Sequence, residues 1–67
     1  MTIYLNNNPL SLLTPATLQK VLEGQQLHEQ RGIAVAVNNA VIPKTEWQQK
    51  ALADNDKIVV IRATQGG

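Results

Sequence analysis

The sequence predicts an α+β domain: a mixed sheet of four to five strands with one main helix packed across one face. Three observations carry this prediction. Short apolar runs with strand character stand near both ends and in the middle of the chain. One stretch, around Leu18, Val21 and Leu22, has helical spacing instead. Asparagine clusters stand between strand patterns, where hairpins have to turn. Strands on both sides of a single helix pack as one layer of sheet with the helix across it.

The elements follow in order. Ile3-Tyr4-Leu5 is a short strand pattern, and Asn6-Asn7-Asn8 reads as a turn because Asn tolerates left-handed backbone angles. Leu10, Leu12 and Leu13 suit a second strand, with Pro9 at its start. Thr14-Pro15 reads as a helix start, since Thr caps free N–H groups and Pro is favoured at the first helical position. Leu18, Val21 and Leu22, at i, i+3 and i+4, then share one helix face, and Gly24 stops a helix of about three turns. The stretch from Gln25 to Gly32 is polar, with Leu27 as its one apolar anchor.

In Ile33-Ala34-Val35-Ala36-Val37 large side chains alternate with Ala, so Ile33, Val35 and Val37 share a face. Asn38-Asn39 turns the chain into Ala40-Val41-Ile42, which Pro43 ends. Lys44 to Gln49 suits a helical turn around Trp47, read as a packed lid over one end of the core. Asp54-Asn55-Asp56 is a turn. Ile58-Val59-Val60-Ile61 is a continuous apolar run, as expected of a central strand covered on both sides. It is expected to pair in parallel with the first strand.

Composition narrows the function. With 67 residues, the chain buries only about 60% of its unfolded surface. It cannot hide a deep active-site cavity as well as a core, so function belongs on the surface or at a terminus. No cysteine is present, which excludes disulfides, thiolate metal sites and thiol catalysis. Six basic residues are scattered and the net charge is +1, a poor match to nucleic-acid binding. No stretch resembles a signal peptide or a membrane span, and the expected location is the cytoplasm.

His28 has no neighbouring base or nucleophile and is read as an exposed loop residue. Glu46, Asp54 and Asp56 match no metal loop and are assigned turn and capping roles. Lys44, Lys57 and Arg62 are read as solvated surface charges. No paired carboxylates or Ser/His/Asp set points to a stand-alone enzyme.

The informative feature is the end: an apolar strand, a few small or polar residues, then Gly66-Gly67. Glycine lacks a side chain, so such a backbone can thread a narrow slot and approach a nucleotide closely. A carboxylate resists nucleophiles until its oxygen becomes a good leaving group, and transfer of an adenylate from ATP provides one. The activated carbonyl then accepts sulfur as a thiocarboxylate. A carrier of this kind needs only its terminal carboxylate, its reach and a docking surface.

The order of elements together with Gly66-Gly67 resembles the ubiquitin-like (β-grasp) family. Within it the chain is similar to the ThiS-type sulfur carriers of thiamin thiazole synthesis. The resemblance rests on length, on Ala36-Val37-Asn38, and on Val41-Ile42-Pro43-Lys44-Thr45-Glu46-Trp47. It rests also on Asp54-Asn55-Asp56 before a hydrophobic strand that leads to Gly-Gly, and it covers essentially the whole chain. It implies a β-grasp domain over residues 1–63 and a flexible C-terminal tail over 64–67.

The same resemblance implies adenylation of Gly67 by a ThiF-like enzyme using ATP and magnesium, with no cofactor bound to the carrier itself. Sulfur then arrives from a cysteine desulfurase relay, and a ThiG-like thiazole synthase receives the thiocarboxylate. Gln65, Gly66 and Gly67 are the tail residues expected to meet partners; Gln65 stands where the family often has a small residue. Comparison with the ubiquitin-like pattern places Ile58 and Val60 against the helix. Val59 and Ile61 then form an exposed apolar docking patch beside Ala34, Ala36 and Tyr4. The alternatives are a molybdopterin-type sulfur carrier, a ubiquitin-like protein modifier that joins Gly67 to lysines, and a non-covalent interaction domain.

Overall fold

The computed structural model describes residues 1–29 and 31–62. Strands β1 (Thr2–Leu5) and β2 (Asn8–Ser11) form the first hairpin, and helix α1 (Leu18–Gly24) follows. Strands β3 (Ile33–Val37) and β4 (Ala40–Ile42) form the second hairpin. A 3-10 turn occupies Lys44–Glu46, and β5 (Lys57–Arg62) comes last. The sheet order among the described residues is β2-β1-β5-β3-β4. β5 is therefore central, parallel to β1 and antiparallel to β3, as its apolarity predicts.

Both hairpins turn on two asparagines. φ is 49° and 70° at Asn6 and Asn7, and 50° and 72° at Asn38 and Asn39. Positive φ at both central residues is what a two-residue type I′ turn requires, and that turn matches the twist of the flanking strands. Pro9 stands inside β2, opposite Tyr4, and not at its start. In this hairpin Leu5 and Asn8 flank the turn as a bonded pair, so the next pair is non-bonded. The missing N–H of Pro9 therefore costs nothing there, and it blunts the outer edge.

The second strand is shorter than the sequence suggests. It ends at Ser11; Leu12 packs partly on the core, whereas Leu13 is fully exposed as the chain leaves the sheet. The helix also starts later than Thr14-Pro15. Thr17 is its N-cap, accepting the Lys20 N–H at 3.3 Å, and the helix has seven residues, about two turns. The reason lies in a distant segment. Leu52 N–H donates to Ala16 C=O at 3.1 Å, Leu18 N–H donates to Lys50 C=O at 2.8 Å, and Thr17 bridges Ala51. This pairing holds Thr17 extended, so the helix begins only at Leu18.

Gly24 is the last helical residue, and the left-handed residue is Gln26 at φ 60°. Gln26 N–H donates to Glu23 C=O at 3.0 Å and Leu27 N–H to Leu22 C=O at 2.8 Å. These two bonds make a Schellman end, and Leu27 packs on the core beside it. His28 follows and is half-buried, not exposed: its Nδ1 is buried with no partner among the described residues.

The core lies between the helix and one face of the sheet. Ile3, Val35, Val37 and Ile58 come from the strands, Leu18, Val21 and Leu22 from α1, and Trp47 and Leu52 from the long connection. Trp47 is 2% exposed and donates its Nε1–H to Ile42 C=O at 2.9 Å. Burying each such side chain contributes about 1.5–3 kcal/mol. β5 is not covered on both sides. Its Ile58 is 1% exposed, while Val59 and Ile61 point away from α1.

Candidate functional site

Side chains along a strand alternate between faces, so Ile58 and Val60 pack towards α1 and Val59 and Ile61 face outward. Val59 is 41% exposed and Ile61 53%. The neighbouring residues on β3 explain this. Ala36 stands opposite Val59 and Ala34 opposite Ile61, and a methyl group is too small to shield a larger side chain. Tyr4, on the same face of β1, stands opposite Lys57.

Val41 joins this face from β4. It pairs with Ala36 and is 66% exposed, so Ala36 is buried between Val41 and Val59. Sequence reading of the patch missed Val41. The signal was present in Ala40-Val41-Ile42: once Ile42 packs on the core, Val41 has to face outward. The result is an apolar strip across the open face of β5, β3 and β4.

One end of the strip opens into a shallow depression of about 360 Å³ between Tyr4, Asn7, Asn39, Lys57 and Val59. Its rim is held by side-chain bonds. Asn38 Oδ1 accepts the Lys57 N–H at 3.0 Å, and its Nδ2 donates to Asp56 Oδ1 at 2.9 Å. Asp56 Oδ2 accepts the Ala53 N–H at 2.8 Å, and Asp54 Oδ1 accepts the Thr2 N–H at 2.7 Å. Asp54 and Asp56 thus serve turns. No three or more His, Asp or Glu side chains among the described residues converge to hold a metal. None of the described helices is long and apolar enough to cross a membrane.

The strand that carries the tail is gripped on its β1 side by a short ladder. Tyr4 N–H donates to Asp56 C=O at 2.9 Å and Asn6 N–H to Ile58 C=O at 2.8 Å. The Asn6 side chain then continues the ladder, its Oδ1 accepting the Val60 N–H at 2.9 Å. Nothing in the sequence distinguishes this role from that of an ordinary turn asparagine. Arg62, at the end of β5, is exposed. Gln65, Gly66 and Gly67 lie outside the described residues, as does the expected boundary between domain and tail at 63 and 64. Covalent geometry alone keeps Gly67 within about 18 Å of Arg62.

Comparison with known proteins adds to this geometry. The model of the ThiS family matches residues 3–67. The sulfur carrier protein ThiS of Escherichia coli is 30% identical over 67 residues, with the whole of both chains covered. An uncharacterised protein of Pyropia yezoensis, ycf40, is 31% identical over the whole of this chain and 93% of its own length. Among solved structures, a crystal structure of the thiamine biosynthesis protein ThiS from Geobacter metallireducens superposes with a TM-score of 0.84. It covers all of both chains at 16% sequence identity, a likeness of fold, and that fold is the β-grasp arrangement.

Proposed function

The chain belongs to the ThiS family, and on that premise we propose that it is a cytoplasmic sulfur carrier for thiamin thiazole synthesis. The observation that carries this reading is the extent of the family match, which runs from residue 3 through Gly66 to Gly67. The working group is the Gly67 carboxylate. A ThiF-like enzyme transfers an adenylate to it from ATP, with magnesium, and pyrophosphate leaves. A persulfide from a cysteine desulfurase relay then attacks the acyl adenylate and displaces AMP, and a thiol reductively cleaves the resulting acyl disulfide, so that one carboxylate oxygen is replaced by sulfur. A ThiG-like thiazole synthase accepts that sulfur. The carrier supplies no catalytic side chain and acts as a co-substrate.

Its own contributions are reach and recognition. Gln65, Gly66 and Gly67 enter the partner's site. Val59 and Ile61, on the strand that leads to them, dock against the partner surface, with the burial of apolar area as the driving force. The Gly pair suits a narrow channel because no side chain widens the backbone.

The test is intact and fragment mass spectrometry of the protein purified from its own cells, with alkylation of any terminal thiocarboxylate. Replacement of one oxygen by sulfur, localised to Gly67, is the expected result. Localisation matters because oxidation of Met1 or Trp47 adds nearly the same mass. An ordinary carboxylate, together with no adenylate on Gly67 after incubation with a ThiF-type enzyme, ATP and magnesium, overturns the reading.

A further inference from the structure

β5 is paired unequally along its two sides. On the β3 side the register runs from Ile58 opposite Val37 to Arg62 opposite Ile33. On the β1 side only Lys57 and Ile58 have strand partners. Asn6 then closes the ladder by taking the Val60 N–H on its side chain, and β1 turns away at Asn6-Asn7.

Main-chain groups of alternate strand residues point to the same side. Ile58 C=O and Val60 N–H face β1. Val60 C=O and Arg62 N–H therefore face that side too, and neither has a main-chain partner there among the described residues. An unpaired strand edge is a template for another strand. The outer edges of the sheet are poorer templates: β2 carries Pro9, and β4 has three residues and runs into Pro43.

We propose that an extended segment of the tail-activating partner adds to β5 in this notch, parallel to β5, and takes hold of the main chain just before the tail. One partner residue donates its N–H to Val60 C=O and accepts the Arg62 N–H. In a parallel pair one residue bonds the two groups that flank its opposite number, which here is Ile61. An antiparallel segment bonding at Val60 needs the Val60 N–H as well, which Asn6 already holds. The occupant follows from covalent reach. A partner that works on Gly67 acts within about 18 Å of Arg62, beside this notch. Strand addition reads backbone, with side-chain pockets only at alternate positions, so it suits a tail that ends in two residues without side chains.

The inference rests on the sulfur-carrier reading, and the test separates the two. Amide hydrogen exchange at Arg62 is followed in the full chain, alone and with a ThiF-type adenylating enzyme. In parallel, adenylation kinetics are compared for Arg62→Ala, which keeps the N–H, and Arg62→Pro, which removes it. Exchange at Arg62 slows in the complex, and Arg62→Pro raises KM about tenfold over Arg62→Ala, the worth of one main-chain hydrogen bond. Unchanged exchange at Arg62 in a complex that does adenylate Gly67 overturns the inference and leaves the carrier reading standing. So does equal KM for the two variants when Arg62→Pro melts like the parent chain. Should Arg62→Pro fail to fold, exchange in the parent chain alone decides. Absence of any adenylate on the parent chain removes both.

Discussion

Asn38 and Asn39 share one turn and one backbone region, with φ of 50° and 72°, yet they contribute differently. Asn38 uses both ends of its amide, accepting from Lys57 and donating to Asp56, and so ties the second hairpin to the start of β5. The Asn39 side chain makes no hydrogen bond among the described residues. Its place depends on tolerating the left-handed region, and glycine does that better. Asn39→Gly is therefore expected to be neutral or stabilising by about 0.5 kcal/mol. Asn38→Gly relaxes the same backbone but loses two hydrogen bonds, at a cost of about 1–2 kcal/mol. Urea unfolding of the two variants checks the contrast. Asn39→Gly emerging as the more damaging change would show that backbone geometry alone does not account for that residue.

At the scale of elements, α1 has too few residues to persist by itself. It is held by Leu18, Val21 and Leu22 on the core, by the Thr17 cap and by the Schellman end. Gly24 sits inside it, and a Cβ built there meets no atom within 4 Å. Gly24→Ala should stabilise the protein by about 0.5–1 kcal/mol, raising the melting temperature by roughly 4 °C. A lowered melting temperature would mean that the glycine serves the exit turn.

The same element marks where sequence reading succeeds and where it stops. Its apolar face was legible from spacing, because Leu18, Val21 and Leu22 obey the helical period. Its start was not, because Thr14 and Thr17 both offer a capping hydroxyl. The choice is made by pairing with residues 50–52, far away in the chain. Its exit was legible only in part, since Gln26 and not a glycine takes the left-handed position. The hairpins were legible for the opposite reason: their turns are local, and Asn-Asn writes them into the sequence. In the candidate site, alternation puts Val59 and Ile61 on one face and the resemblance to the ubiquitin-like pattern turns that face outward, whereas Val41 and the Asn6 cap depend on which strands lie side by side.

At the scale of the whole molecule, the core and the proposed working parts occupy different places. The core cluster gathers side chains of α1, of the long connection and of one face of the sheet. The apolar strip lies on the opposite face, and Gly66 and Gly67 follow β5 in the sequence. A chain of 67 residues has a stability of about 3–10 kcal/mol, so one good core side chain is a large share of it. Ile58→Ala is expected to remove about 2–5 kcal/mol and to leave a protein that melts far below the parent, or does not fold. Val59→Asp and Ile61→Asp, one position along the same strand, should each shift stability by no more than about 1 kcal/mol, the span of strand propensity. If the strip is the docking surface, the same two changes weaken binding of a ThiF-type enzyme by about tenfold or more, because a charge then sits where apolar area was to be buried. Removing Gly66 and Gly67 should leave the melting temperature unchanged while abolishing adenylation. Thermal melting and binding measured on all four proteins separate the alternatives. Binding lost in step with stability would place Val59 and Ile61 among the structural residues. Binding kept by both aspartate variants would move the docking surface off the open face and leave the edge of β5 beside the tail to carry it.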